Sequence, residues 1–284
     1  MRAAIAAQPE WLAAVAERVG SRRVPDGAVT IGCGTSFHAA QTAPRAVQAL
    51  EFVLSPVEAP ALVCVSHEGE TELVLEAARA FDGPVWLVTG KEESPLAELA
   101  DEVVVVTPEI EKSWCHTASY TCAVAGLAAL RGEDISGLSA AVAEAMAAPP
   151  EPISDHSRWL VAGAARDWPT AQEAVLKLRE GVWVAAEAHH TEQLLHGHLA
   201  AVDETVRCFV LEGEGRAADR AGQAALALGR LGCEVALVPT SHPVVDVVRF
   251  QRLTLDLADA RGIDPDWIHR DDERWKSAAA AHKG

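Results

Sequence analysis

The sequence predicts an α/β protein made of two tandem, doubly wound parallel sheets, with a helix in front and a tail behind. Three observations carry this. Short apolar runs alternate with helical periodicities, the pattern of a parallel sheet covered by helices on both faces. A proline-rich stretch at 147–152 (AAPPEP) interrupts the alternation, which then restarts. In each half the first strand runs into a glycine turn and a helix, so both halves follow one element order. The expected segments are a helix at 1–24, the two units at 25–146 and 153–266, and a tail at 267–284.

The elements follow in order. Residues 1–20 read as a helix with Ile5, Leu12, Val15 and Val19 on one side and Gly20 as its stop. Asp26-Gly27 turns the chain into a strand at 28–32. GCGTSFHAA then leads into a helix broken or started near Pro44. Residues 62–66 form a strand buried on both faces. A Ser/Thr/Gly loop feeds the helix predicted over 70–81, with Leu73, Val74, Ala77, Ala78 and Phe81 on one face. A strand at 85–89, a short helix at 93–100, a strand at 103–107 and a long apolar helix at 113–130 complete the first half. The second half reads as a strand at 159–162, a turn at 163–167 and an amphipathic helix at 169–182. Strands at 206–211 and 235–239 and helices at 217–231 and 244–260 follow, and the chain is polar from 262 onward. Ligands of such sheets sit at the carboxyl ends of strands, which singles out loops 32–38, 66–71, 163–168 and 187–198.

Composition narrows the function classes. With 284 residues and 49% apolar content the chain can build a sizeable core, and no run approaches the ~20 residues of a membrane span. Pro9, Glu10 and Glu17 break the apolar core that a signal peptide needs, so a cytoplasmic location is expected. The net charge of −17 argues against nucleic acid, which requires a basic face. Six scattered cysteines without a CxxC pair are expected as free, buried thiols.

Three constellations can carry chemistry. The loops at 32–36 and 66–71 place Thr35, Ser36, Ser66 and Thr71 at strand-to-helix turns, where hydroxyls and free backbone N–H groups hold an anion or sugar hydroxyls. The same hydroxyls serve equally as helix caps. Glu173 and Glu180 lie seven apart on one helix face, and Glu173 can pair with Lys177 at i,i+4. Spacing alone reads as a solvated stripe. The apolar Val182-Trp183-Val184 beside Glu180 nevertheless offers the partial burial that a carboxylate moving protons between sugar carbons needs. The third is EAHHTEQLLHGH at 187–198, whose four histidines (His189, His190, His196, His198) fit no strong zinc spacing. An acid–base histidine is favoured there over a metal site.

Together these motifs resemble sugar isomerase (SIS) domain proteins of flavodoxin-like fold, above all the isomerase half of glucosamine-6-phosphate synthase. IAAQPEWLAAVAERV, GCGTSFHAA, SHEGET, HTASYT and AQEAVLKLREGVWVAAEAHHTEQLLHGHLAAVD follow that family's order. The resemblance implies that Glu180 moves the proton between C1 and C2. It also implies that His196 opens the sugar ring from a neighbouring subunit of a homodimer with shared sites. Ser36, Ser66 and Thr71, with Cys33, Gly34 and Thr35 beside them, match the phosphate-contacting loops. RWKSAA places Lys276 at the lysine that forms an imine with the open-chain sugar. Glu173 joins the substrate side of the site, and no metal or organic cofactor is called for.

The departures are informative. The sequence begins Met1-Arg2 without a cysteine nucleophile, so ammonia from glutamine is not expected. The family's S-Q-S-G-E-T reads SHEGET here, so His67 and Glu68 enter the phosphate loop. A carboxylate beside a phosphate dianion costs about a few kcal/mol at an effective dielectric near 20. Either the substrate's far end donates to Glu68, or a protonated His67 neutralises it. The function expected is a sugar or phosphosugar isomerase, aldose–ketose or amino-sugar isomerase/deaminase, acting on a small-molecule sugar without nucleic acid or membrane. The alternatives are a non-catalytic carbohydrate-binding sensor and a relative that has lost activity.

Overall fold

Apolar runs become two parallel sheets in the computed structural model, which describes residues 1–281. The first sheet holds β1 (Val29–Gly32), β2 (Ala46–Gln48), β3 (Leu62–Val65), β4 (Val85–Thr89) and β5 (Glu102–Val105) in the order β2-β1-β3-β4-β5. The second holds β6 (Arg158–Gly163), β7 (Ala185–His190), β8 (Val206–Leu211) and β9 (Glu234–Val238) in the order β7-β6-β8-β9. Around the first sheet lie α1 (Arg2–Val19), α2 (Thr35–Ala40), α3 (Ala49–Leu54), α4 (Glu72–Ala80), α5 (Ala118–Leu130) and α6 (Leu138–Ala147). Around the second lie α7 (Trp168–Val182), α8 (Thr191–Leu195), α9 (Arg216–Arg230), α10 (Pro243–Arg261) and α11 (Glu273–Ala281). Every ladder is parallel, with Cys64 beside Leu87 in one sheet and Leu160 beside Cys208 in the other.

The burial explains the composition of each element. β1, β3, β4 and β8 are buried along their whole length because helices cover both faces, so they need no alternation. α5 is buried at every position and apolar all round, as a helix inside a core must be. It packs on α1, α2, β4 and α10, and α10 in turn lies against α7, α6 and α1. These two helices join the layers of both sheets. No helix among the described residues is long and apolar enough to cross a membrane. The six cysteines are unpaired, five of them buried.

Several elements differ from expectation. The helix expected around Pro44 is two short helices, α2 and α3, with the edge strand β2 between them. Residues 93–100 form turns rather than a helix, since Leu96 N–H donates to Gly69 O and Ala97 N–H to Ser94 Oγ. The expected loop at 187–198 is mostly strand and helix: β7 pairs along β6 from Ala185 to His190, and α8 follows. The polar tail contains α11, while its last three residues, 282–284, lie outside the described part.

Candidate active site

β1 and β3 end side by side, and the loops that follow them form one wall of a cavity of about 400 Å³. Gly32 makes the first of these loops possible. A Cβ there would stand 2.7–2.9 Å from the backbone of Ser36 and Phe37, so only glycine lets the first turn of α2 fold back onto β1. Gly34 follows with φ 54°, in the left-handed region that glycine tolerates. Cys33, Thr35 and Ser36 from this loop, and Ser66, His67, Glu68 and Thr71 from the next, reach the cavity. Ser66 Oγ and Thr71 Oγ1 lie 3.1 Å apart, and Gly69 N–H donates to Ser66 Oγ at 3.2 Å.

The second half contributes Glu180 to the same cavity. Its carboxylate, 28% exposed, accepts from Lys177 Nζ at 2.6 Å. The lysine is fully buried and also lies 3.3 Å from the equally buried Glu173. Burial alone would lower the pKa of Lys177, but Glu173, with Cys115 and Glu180 behind it, holds it well above the ordinary range. The helix face that reads as a solvated stripe is therefore a buried ionic cluster, closed over by residues distant in sequence. Thr35 Oγ1 donates to Glu173 at 3.2 Å and His38 Nδ1 pairs with it at 2.7 Å. Glu173 thus ties α7 to α2 and positions the site from behind without lining the cavity. His38, in GTSFHAA, was missed in the sequence; its place one turn into the helix after a glycine loop was the available signal.

His67 is not the cation that would neutralise Glu68. Its Nε2 accepts the Glu111 N–H at 3.0 Å, so the ring is neutral with its proton on Nδ1. Burial, reinforced by neighbouring His116 at 5.2 Å between ring centroids, pushes its pKa down to about 4. In the sequence Glu111 is not singled out, and His116, Ser119 and Tyr120 enter only within HTASYT, without a role of their own. Glu111 caps the start of α5, accepting N–H groups of Thr117 (2.8 Å) and Ser119 (2.7 Å) and both their hydroxyls. Burial would raise its pKa, but His116 and the Ser119 bonds outweigh this and bring it down to about 2. His116, Ser119 and Tyr120 line the cavity.

Two expected residues lie elsewhere in their own chain. His196 ends α8, 69% exposed, and bonds Glu192 at 2.7 Å. Lys276 lies on the exposed α11 and bonds Glu273 at 2.9 Å. His189 and His198 stack at 4.6 Å, but no group of three or more His, Cys, Asp or Glu side chains among the described residues is arranged to hold a metal.

No protein-family model matches the chain. An isomerizing glutamine–fructose-6-phosphate aminotransferase from Rhizobium leguminosarum bv. viciae is 26% identical over 234 residues, 69% of this chain. The match takes in only 38% of that relative, so the chain spans well under half its length. The C-terminal domain of glucosamine-fructose-6-phosphate aminotransferase from Francisella tularensis superposes with a TM-score of 0.78 at 20% identity, covering 93% of this chain and 96% of that one. A glucosamine-6-phosphate deaminase from Thermotoga maritima superposes equally well, with a TM-score of 0.78 at 22% identity over 93% of this chain and 96% of that one. Over the matched span the chain is a homologue of glutamine–fructose-6-phosphate aminotransferases and has the fold of SIS phosphosugar isomerase domains.

Proposed function

We propose that the chain moves a proton between neighbouring carbons of an open-chain sugar, as an aldose–ketose isomerase or an amino-sugar isomerase or deaminase. The observation that carries this reading is Glu180, a carboxylate held by a buried lysine in the wall of a cavity of small-molecule size that hydroxyl-bearing loops also line. Glu180 takes the proton from the carbon beside the carbonyl to give an enediolate, the proton of the neighbouring hydroxyl passes to the former carbonyl oxygen, and the same carboxyl returns its proton to the former carbonyl carbon. Lys177 fixes the carboxylate's position. In deaminase or amino-sugar chemistry the enediol becomes an enolamine. The relatives' names, which specify fructose-6-phosphate and glucosamine-6-phosphate, support a sugar as substrate.

On this reading residues 25–146 and 153–266 are two tandem SIS units, each built on one sheet, between an N-terminal helix and the tail. The protein works as a homodimer with shared sites. His196, exposed on its own chain, opens the ring in the partner's cavity, and Lys276 serves the open-chain sugar from the tail. The test is proton exchange at C1 and C2 of a panel of sugars and sugar phosphates, followed by NMR in D₂O. Glu180→Gln is expected to abolish exchange while binding stays within about threefold of wild type, the signature of a group acting only in the transition state. Undiminished exchange in that variant would refute the role. A carbohydrate-binding module without turnover is the second reading, favoured by the absence of His196 from its own chain's cavity lining; binding without exchange in the wild type would support it.

A further inference from the structure

The charges around the cavity are unsuited to a dianion. Its lining carries three carboxylates, Glu68, Glu70 and Glu180, and no lysine or arginine. Two are matched: Lys177 holds Glu180 at 2.6 Å, and Lys91 holds Glu70 at 2.7 Å. Glu68 is exposed and makes no ion pair among the described residues; Lys91 senses it only at longer range and is already held by Glu70. His67 is neutral, and His116 faces Glu111 at 3.8 Å.

Two of the three helix starts beside the cavity are also occupied by acidic residues. Glu72 sits in the first turn of α4, just after Glu68 and Glu70. The start of α5 is met by the Glu111 carboxylate. The starts of α4 and α5 therefore carry acidic groups of the chain itself, which complement the positive end of each dipole, while α2 follows Gly34 with no acidic residue in its first turn. Tyr120 lines the cavity, and its Oη is buried and has no partner among the described residues.

We infer that this cavity takes an unphosphorylated sugar whose non-reacting end donates a hydrogen bond to Glu68, which is the specificity-determining residue. A hydroxyl or an ammonium group meets the requirement, because each donates. A phosphate presents acceptors and negative charge to an unmatched carboxylate. The inference rests on reading the cavity as a sugar site.

The test is calorimetric titration of the full chain with matched probes: fructose against fructose 6-phosphate, and glucosamine against glucosamine 6-phosphate. It is run on wild type, Glu68→Gln and Glu68→Ser, with thermal melts to verify folding. Wild type is expected to bind the unphosphorylated member of a pair about tenfold or more tightly, and Glu68→Ser to reverse that order. Glu68→Gln, nearly isosteric, keeps the comparison intact should the serine variant fold poorly, and is expected to narrow the gap. Equal or tighter binding of the phosphorylated member by wild type overturns the inference and leaves the sugar reading standing. No binding of any of the four overturns both.

Discussion

Lys177 has no exposed surface and lies between two carboxylates, so removing its charge strands Glu173 in the interior. Lys177→Met is expected to cost about 3–5 kcal/mol, measured by urea unfolding near neutral pH. The double variant with Glu173→Gln should recover much of that loss, as a coupled pair does. The i,i+4 spacing of this pair was visible in the sequence, but its burial was not, because the covering residues come from other helices and from the loop after β1. Glu111 shows the same limit: nothing in TPEIEKS marks a cap for a helix beginning seven residues later. Its folded pKa of about 2 lies below its ordinary 4.5, so its contribution is fully present above pH 4.5 and is lost as pH falls toward 2. Glu111→Gln is expected to cost about 3 kcal/mol near neutral pH and almost nothing near pH 2, read from denaturation at a series of pH values. His67 acts in the same direction over a higher window. Its folded pKa of about 4 lies below the ordinary 6.5, so the unfolded chain takes up the proton first and stability falls from pH 6.5 toward 4.

Elements in corresponding positions of the two sheets differ in their relation to the cavity. Gly32 and Gly163 each end a first strand, and a Cβ at either would press on the backbone four residues later, 2.7 Å from Ser36 C or 2.8 Å from Asp167 O. Alanine at either site is expected to destabilise by about 1–3 kcal/mol through a forced backbone shift. Only Gly32→Ala should also weaken sugar binding, since the turn after β6 does not line the cavity; titration of both variants with one sugar checks this. Strands made of apolar runs, such as β4 and β8, were legible residue for residue because both their faces are buried. β2 and β7 were not: both are edge strands, and β7 is partly exposed and rich in histidine, so only pairing with β6 makes it a strand. The turns at 93–100 carry a helical pattern that a long-range bond to Gly69 overrides.

For the molecule as a whole, the proposed shared site makes a stoichiometric prediction. If His196 works in the partner's cavity, mixing inactive Glu180→Gln and His196→Asn chains should restore about a quarter of wild-type exchange, because each mixed dimer rebuilds one intact site. No recovery after denaturation and joint refolding would place both residues in one chain's site or remove His196 from the chemistry. The architecture itself was readable at this scale, since alternation and the glycine turns forecast two parallel sheets, while the charge balance around the cavity was not, because Lys91 and Glu111, which meet the lining residues Glu70 and His116 without lining the cavity themselves, lie outside the motifs. The apolar cylinder α5 adds one mechanical consequence. A swinging apart of the two sheets would strip α5 and the α10 face beside it to water, exposing a helix with no polar side to turn outward. That exposure opposes a jaw-like motion of the pair. On the proposed function, passage of a sugar then falls to the turns at the cavity rim, with Glu180 held in place by its buried lysine.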